Sequence, residues 1–323
     1  MSINIITFTK YSFIYFFLFF ALILNTSCSS TSSNTTTTSN GTGSNTPTSN
    51  VREGQLLNQS LTHDSLSRNY ILYIPSTYES DNKTPLVLNF HGFGGSASSQ
   101  LDTADMRALS ERDGVILVYP QGYPDSSGYR SWNGYVGEGN KSSIDDFGFI
   151  ESLIQDLSLN YNIDPLRIYS CGYSNGSFFS YALACFKSDL IASVGAVSGT
   201  MMQNSIELGT PNHPTSVISL HGTSDFVIPY DGSTGYAPAI ESNNYWASTN
   251  NITTDPTIIT ISNDQQTIEH YTYSEGTNGS SVEHYKIIGG NHVWFDITIN
   301  GSDTNTLIWD FFMKHDKNGS RSN

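Results

Sequence analysis

Apolar and polar positions follow two different periods along most of the chain. Short apolar runs rich in β-branched and aromatic side chains predict buried strands. The strand candidates are 69–74, 85–91, 114–120, 167–172, 191–197, 216–221 and 284–288. Apolar residues three and four positions apart predict helices over 145–161, 177–186 and 303–315. Strands that alternate with helices predict an α/β fold with a mostly parallel central sheet and helices on both faces.

The segment 228–282 shows a weaker pattern than the rest of the folded part. It is polar and rich in Asn, with few apolar positions at a regular spacing. We expect it to form an excursion above the sheet that helps to shape a substrate site.

The first 52 residues do not fit the α/β pattern. An apolar run from Phe13 to Leu24 is short for a bilayer span, which needs roughly 20 apolar residues. Its length suits a secretory signal, so residues 1–28 are predicted to be a signal peptide. The motif Asn25-Thr26-Ser27-Cys28 resembles a loose bacterial lipobox. Lipidation of Cys28, ordinary cleavage nearby and an uncleaved membrane anchor remain three alternatives, of which the first two predict export, either as a secreted protein or as an outer-surface lipoprotein.

Residues 29–52 consist almost entirely of Ser, Thr, Asn and Gly. Such a segment buries too little apolar surface to offset the entropy of ordering, so it is predicted to be a flexible linker. The folded domain is expected to span 53–316, with a short tail over 317–323.

Charge and cysteine usage narrow the class of protein further. The chain has 29 acidic and 14 basic residues and a net charge of −15. A surface this acidic repels phosphate backbones, which argues against a nucleic-acid partner.

Besides Cys28, the cysteines are Cys171 in a predicted strand and Cys185 well along the next helix. Their Cα atoms are expected to lie beyond the roughly 7 Å reach of a disulfide, so both are predicted to be buried free thiols.

The strongest chemical motif is Gly172-Tyr173-Ser174-Asn175-Gly176. It follows a predicted strand and opens a predicted helix, which is the setting of the nucleophile elbow of the α/β-hydrolase fold. The tight turn has no room for side chains at its flanks, hence the two glycines. Ser174 is therefore the predicted nucleophile, and the helix N-terminus behind it favours developing negative charge.

A serine hydroxyl needs a base, and in this fold the acid and the base follow the nucleophile in that order. Asp225 comes directly after the strand candidate 216–221, with Asp231 as its nearest rival. His292 follows a Gly-rich loop after the last strand. The other histidines beyond Asp225 lie in strand-like runs or in the terminal helix, namely His270, His284 and His315. His292 is thus the predicted base, and activity is expected to rise with pH as its imidazole becomes neutral.

The turn His91-Gly92-Phe93-Gly94-Gly95 follows the strand candidate 85–91. Backbone N–H groups in such a turn can face a tetrahedral oxyanion together with the residue after the nucleophile. Phe93 and Asn175 are the predicted donors.

Trp132 and Trp294 are candidates for substrate contacts, although core packing is an equal alternative for Trp132. Since the sequence has neither a Cys/His cluster at metal-binding spacing nor a phosphate-binding glycine loop, we expect no metal and no cofactor.

Taken together, these motifs resemble the secreted polyhydroxybutyrate depolymerase and feruloyl/acetylxylan esterase group of the α/β-hydrolase superfamily. The matching stretches are 68–75, 85–92, 118–122, 131–133, 145–150, 161–176, 221–225 and 290–294. The resemblance implies a triad of Ser174, Asp225 and His292, oxyanion donors at Phe93 and Asn175, and a site lined by Trp294.

We therefore expect a secreted, monomeric serine esterase that hydrolyses carboxylic esters through an acyl-enzyme. The resemblance implies a polymer-derived ester, either polyhydroxybutyrate or a feruloylated or acetylated polysaccharide. Two alternatives remain open, a serine peptidase on the same fold and a non-catalytic polysaccharide-binding protein on the same scaffold.

Overall fold

The computed structural model describes residues 53–137, 139–262 and 266–321. The predicted signal peptide, the lipidation candidate Cys28 and the predicted linker 29–52 lie outside the described residues. The described residues form one compact unit. In the part of the chain that the structure describes, no helix is both long enough and apolar enough to cross a membrane.

Within the described ranges, ten strands build one sheet, and six two-residue strands form three small hairpins. The strands are β1 (Gln55–His63), β2 (Leu66–Ile74), β3 (Thr84–Phe90), β4 (Ile116–Pro120), β5 (Tyr123–Pro124), β6 (Arg130–Ser131), β7 (Ile163–Tyr173), β8 (Ser193–Val197), β9 (Ser216–Gly222), β10 (Thr257–Ser262), β11 (Thr267–Tyr273), β12 (Val282–Ile287), β13 (Thr298–Ile299), β14 (Ser302–Asp303), β15 (His315–Asp316) and β16 (Gly319–Ser320). The helices are α1 (Ala97–Thr103), α2 (Arg107–Asp113), α3 (Asp146–Asn160), α4 (Asn175–Phe186), α5 (Gln203–Leu208), α6 (Ala239–Thr249) and α7 (Thr304–Met313).

The strand order of the sheet is β1-β2-β4-β3-β7-β8-β9-β12-β11-β10. Neighbouring strands from β4 to β12 run parallel, whereas β1, β2, β11 and β10 join the two edges in antiparallel fashion. The predicted mostly parallel sheet is confirmed. Because parallel strands all end at the same edge, the loops after β3, β7, β9 and β12 meet there.

Two hydrophobic cores cover the two faces of the sheet. Alternate residues of a strand point to opposite faces, and in β3 Leu86 and Leu88 enter one core while Val87 enters the other. The first core includes residues of α3, α4 and α6, and the second includes residues of α1 and α7. Helices therefore cover both faces, as the sequence predicted.

The structure corrects the expectation for 228–282. Instead of an excursion above the sheet, the segment contains the helix α6 and the strands β10 and β11, and the two strands extend the sheet at one edge. Hydrogen bonds to the neighbouring strand satisfy the backbone N–H and C=O groups of an edge strand even where its side chains face solvent. The side chains of β10 are exposed along almost all of its length. This explains why the hydrophobic pattern is weak there. The start of the segment still contributes to a cavity, through Ile228 and Tyr236.

Candidate active site

Ser174 lies at the sharp turn between β7 and α4. Its backbone angles are φ 53° and ψ −115°, a conformation that costs a side-chain-bearing residue free energy and marks functional turns. The flanking glycines are required by close approach: a Cβ atom on Gly172 would lie 2.5 Å from the Gly176 carbonyl carbon, and one on Gly176 would collide with the Phe90 carbonyl oxygen. The turn therefore holds Ser174 where its hydroxyl faces the loops after the neighbouring strands.

The structure brings the three predicted triad residues together. The Ser174 Oγ lies 2.9 Å from Nε2 of His292, and Nδ1 of His292 lies 2.7 Å from Oδ2 of Asp225. Asp225 comes from the loop after β9 and His292 from the loop after β12. With Nδ1–H donated to the carboxylate, Nε2 is left as the acceptor for the serine proton. The geometry is that of a serine activated by a histidine which a carboxylate orients.

Asp225 is buried, and both of its carboxylate oxygens accept hydrogen bonds. Its Oδ1 accepts backbone N–H groups of Val227 at 2.9 Å and Ile228 at 2.8 Å. Burial alone would raise the pKa of Asp225, but hydrogen bonds from His221, His292 and the Ile228 N–H outweigh burial and hold that pKa below its ordinary value. The carboxylate stays ionised, which suits a group that must stabilise an imidazolium.

His221 is a second histidine at the triad aspartate, and the sequence reasoning missed it. Its Nε2 lies 2.8 Å from the carbonyl oxygen of Ile228 and 3.4 Å from Oδ2 of Asp225. A carbonyl can only accept, so Nε2 carries the proton. His221 thereby ties the 225–228 loop back to the end of β9. The signal was present in the sequence, since His221 stands four positions before Asp225.

The Gly-rich turn after β3 leaves the backbone N–H of Phe93, a predicted oxyanion donor, without a backbone partner among the described residues. The N–H of Gly94 donates to the Arg130 carbonyl at 2.8 Å, and the N–H of Gly95 donates to the Gly92 carbonyl at 3.0 Å. Asn175 is the first residue of α4, where N–H groups have no intrahelical partner. The two predicted donors are thus both available.

Two further side chains hold this turn in place. His91 is buried, and its Nε2 accepts the N–H of Gly122 at 2.9 Å, so Nδ1 carries the proton that is donated to the Gly92 carbonyl at 2.7 Å. The Asn175 side chain accepts the Trp132 N–H at 2.7 Å and donates to the Trp132 carbonyl at 3.2 Å. Asn175 therefore combines a predicted backbone donor with an anchor for the neighbouring loop.

A cavity of about 300 Å³ opens beside Ser174. Eight of its thirteen lining residues are aromatic or aliphatic, and Asn140, Lys141, Ser174 and Asn175 are polar. The lining residues are Phe93, Trp132, Tyr135, Gly139, Asn140, Lys141, Ser174, Asn175, Phe178, Met202, Val227, Ile228 and Tyr236. A concave apolar site with a few polar groups next to an activated hydroxyl can bind a small organic group and present its carbonyl to Ser174.

The two predicted substrate tryptophans lie in different places. Trp132 reaches the cavity wall but is only 3% exposed; it stacks on Phe179, and its Nε1 donates to the His91 carbonyl at 3.0 Å. It acts chiefly as core. Trp294 does not line this cavity, because its ring packs against the second hydrophobic core and its Nε1 donates to Asn305 at 3.0 Å. Two positions separate Trp294 from His292, but the chain turns between them.

Cys171 and Cys185 are buried free thiols, which confirms the prediction. Burial raises the pKa of Cys185 to about 12 and raises that of Cys171 as well, so neither is a ready nucleophile.

Among the described residues, His63, Asp64 and Asp145 place metal-type ligand atoms within 4.8 Å of one another. They lie at the β1–β2 turn and just before α3, and none of them lines the Ser174 cavity.

The strand order and the three loops that meet at Ser174 define an α/β-hydrolase fold, and comparisons with known proteins agree. Residues 68–209 match the esterase PHB depolymerase family. Feruloyl esterase B of Piromyces equi is 28% identical over 257 residues, 76% of this chain. The bifunctional acetylxylan esterase/xylanase XynS20E of Neocallimastix patriciarum is 25% identical over 244 residues, also 76% of this chain. These stretches cover 44% and 33% of the two relatives, so the chain spans less than half the length of either.

Solved structures show the same fold. The acetyl xylan esterase from Aspergillus awamori gives a TM-score of 0.56 at 16% identity, over 79% of this chain and 99% of that one. The ferulic acid esterase AmCE1/Fae1A from Anaeromyces mucronatus, solved with ferulic acid, gives 0.51 at 16% identity, over 83% and 92%. The predicted resemblance to the polyhydroxybutyrate depolymerase and feruloyl/acetylxylan esterase group is confirmed.

Proposed function

We propose that the protein is a serine esterase that hydrolyses carboxylic esters of polysaccharide-derived substrates. The observation that carries this proposal is the hydrogen-bonded chain from Ser174 through His292 to Asp225, with distances of 2.9 and 2.7 Å. Its position opposite two available backbone donors supports acyl transfer. The named activities of the relatives, on feruloyl and acetylxylan esters, support the substrate class.

The proposed reaction runs through an acyl-enzyme. The Ser174 Oγ attacks the ester carbonyl carbon while His292 Nε2 takes the serine proton. The N–H groups of Phe93 and Asn175 bind the oxyanion, and Asp225 stabilises the imidazolium. His292 then gives its proton to the departing alcohol oxygen as the ester bond breaks. Water, deprotonated by His292, attacks the acyl carbon; the bond to Ser174 Oγ then breaks, His292 returns the proton to Oγ, and the carboxylic acid leaves.

A substrate panel tests this proposal. The full chain and its Ser174→Ala variant are assayed on p-nitrophenyl acetate and butyrate, methyl ferulate, acetylated xylan and polyhydroxybutyrate film. Since a triad without its nucleophile retains little rate enhancement, we expect a loss of more than about 10⁴-fold in the variant. If the chain hydrolyses peptides but none of these esters, the result would favour a peptidase. Binding of polysaccharide with no ester turnover would overturn the proposal in favour of a binding protein.

We also propose export as a monomer, with Cys28 as the attachment point of a lipid. Support comes from the apolar run before Cys28 and the polar segment after it. Fractionation of bacteria that express the full chain and its Cys28→Ala variant tests the anchor. Membrane-bound chain that becomes soluble in the variant supports lipidation, and identical distribution of the two contradicts it.

A further inference from the structure

A second cavity, of about 590 Å³, lies where β1, β2 and the segment after β4 meet. The residues that line it include four with amide side chains, three serines, two tyrosines and two arginines. The amides are those of Asn58, Gln59, Asn69 and Gln121. None of the described residues that line it is Asp or Glu, although the chain carries 29 acids. The cavity is therefore an amide-rich, acid-free surface on a strongly acidic protein.

The two arginines have different roles in this cavity. Arg68 is 1% exposed, and its Nη2 pairs with Asp146 at 2.6 Å. The charge of Arg68 is therefore neutralised by the Asp146 carboxylate in the protein interior. Arg130 is exposed, and the described residues offer it no ion pair. Its guanidinium is thus free to donate hydrogen bonds to a ligand.

The cavity adjoins the turn that carries the oxyanion donor Phe93. Three hydrogen bonds join the cavity wall to that turn and to the start of α1: Gly122 N–H to His91 Nε2 at 2.9 Å, Ala97 N–H to the Gln121 side chain at 3.0 Å, and Gly94 N–H to the Arg130 carbonyl at 2.8 Å. Phe93 faces the Ser174 cavity, whereas Ala97, four residues later, faces this one. Residues of the 93–97 turn therefore line both cavities.

We propose that the second cavity binds an oligosaccharide segment of the polymer whose ester reaches Ser174. This inference deepens the proposed function and rests on it for the link to Ser174. Side-chain amides both donate to and accept from sugar hydroxyls, the Arg130 guanidinium donates to them, and the half-buried ring of Tyr123 offers an apolar face for a sugar ring. A small aryl ester is too short to occupy both cavities. The second cavity therefore affects polymeric substrates selectively.

Filling the cavity tests the proposal. Ser60 is exposed on β1 and lines the cavity, so Ser60→Trp places an indole in it. Thr260→Trp is the matched control, because Thr260 is exposed on β10, the opposite edge strand of the sheet. An Asn58→Ala, Asn69→Ala double variant removes two amides on the same face of the sheet as Ser60 without adding bulk, and so distinguishes lost binding from misfolding. Thermal denaturation checks that each variant is folded.

The first readout is calorimetric binding of xylohexaose to the full chain, which needs no esterase activity. We expect binding by the wild type and Thr260→Trp, and a loss of at least about tenfold, equivalent to 1.4 kcal/mol, in Ser60→Trp and in the double variant. Absent binding in the wild type, or equal binding in all folded chains, would overturn the proposal.

The second readout is kinetic. On acetylated xylan we expect KM to rise about tenfold in Ser60→Trp, with kcat/KM on p-nitrophenyl acetate unchanged within about twofold. Equal effects on the two substrates would overturn a polymer-selective site. If the wild type hydrolyses neither ester, the proposed function fails, while xylohexaose binding still decides the sugar site on its own.

Discussion

Gly176→Ala sets two physical effects of opposite sign against each other. Gly176 is the second residue of α4, and alanine is a better helix former than glycine by about 1 kcal/mol. On helix propensity alone the variant would be more stable. The surroundings decide otherwise, because the space where the new methyl group would lie is occupied by backbone.

The size of the clash follows from the distances. A Cβ atom at Gly176 would lie 2.7 Å from the carbonyl carbon of Phe90 and 2.8 Å from the carbonyl oxygen of His91, where ordinary contacts begin at 3.4 Å. The end of β3 would have to retreat by more than about 0.7 Å, because the carbonyl oxygen of Phe90 lies closer to the new methyl group than the carbonyl carbon does. Overpacking of this kind costs about 1–3 kcal/mol, which exceeds the gain in propensity. The turn with Phe93 follows directly, and a shift of about 1 Å in an active site can cost about 10²-fold in rate.

We therefore expect Gly176→Ala to lower kcat on p-nitrophenyl acetate by about 10²-fold and to lower the free energy of unfolding by up to about 2 kcal/mol. Ser177→Ala is the control one position further along α4. It removes a buried hydroxyl that has no hydrogen-bond partner among the described residues, so it should keep or raise stability and keep activity. Chemical denaturation and steady-state kinetics give the two quantities. Wild-type stability and kcat in Gly176→Ala would refute the argument from close approach.

Two further predictions concern the buried histidines. His221→Phe removes the hydrogen bonds to the Ile228 carbonyl and Asp225 at a cost of about 1–3 kcal/mol, so kcat should fall about 5- to 100-fold with KM little changed; an unchanged kcat would exclude a positioning role for His221. Burial lowers the pKa of His91 to about 4, against the opposing hydrogen bond to the Gly92 carbonyl, and lowers that of His284 to about 3. Below pH 6.5, the ordinary pKa of histidine, the unfolded chain therefore binds more protons than the folded chain. The free energy of unfolding is highest above that pH and falls as the pH drops towards 4. The loss amounts to about 3 kcal/mol for His91. Melting temperature against pH measures this, and a flat profile between pH 7 and 4 would contradict it.

The sequence indicated the fold and the Ser174 motif because both depend on local chemistry. A fully buried parallel strand such as β3 reads as a continuous apolar run. The nucleophile turn needs small residues at Gly172 and Gly176, and the order of acid and base follows from the fold. These are short-range constraints, so each leaves a mark in a few consecutive residues.

The remaining features depend on contacts that no short stretch encodes. β1 is largely exposed and pairs with β2 through a two-residue turn at Asp64 and Ser65, both with positive φ, so its pattern is too polar to stand out. The direction of the Trp294 ring depends on the partner it finds at Asn305. The dual role of Asn175, as backbone donor and as anchor of Trp132, likewise appears only once the loops meet.

The most direct test of the central proposal is covalent labelling of the full chain with a p-nitrophenyl phosphonate. Such an ester phosphonylates an activated serine and is not readily released by water. We predict release of one p-nitrophenolate per chain and a phosphonyl adduct that peptide mass spectrometry assigns to Ser174, both lost in Ser174→Ala. An adduct on another residue, or ester turnover that persists in Ser174→Ala, would contradict the assignment of Ser174 as the nucleophile.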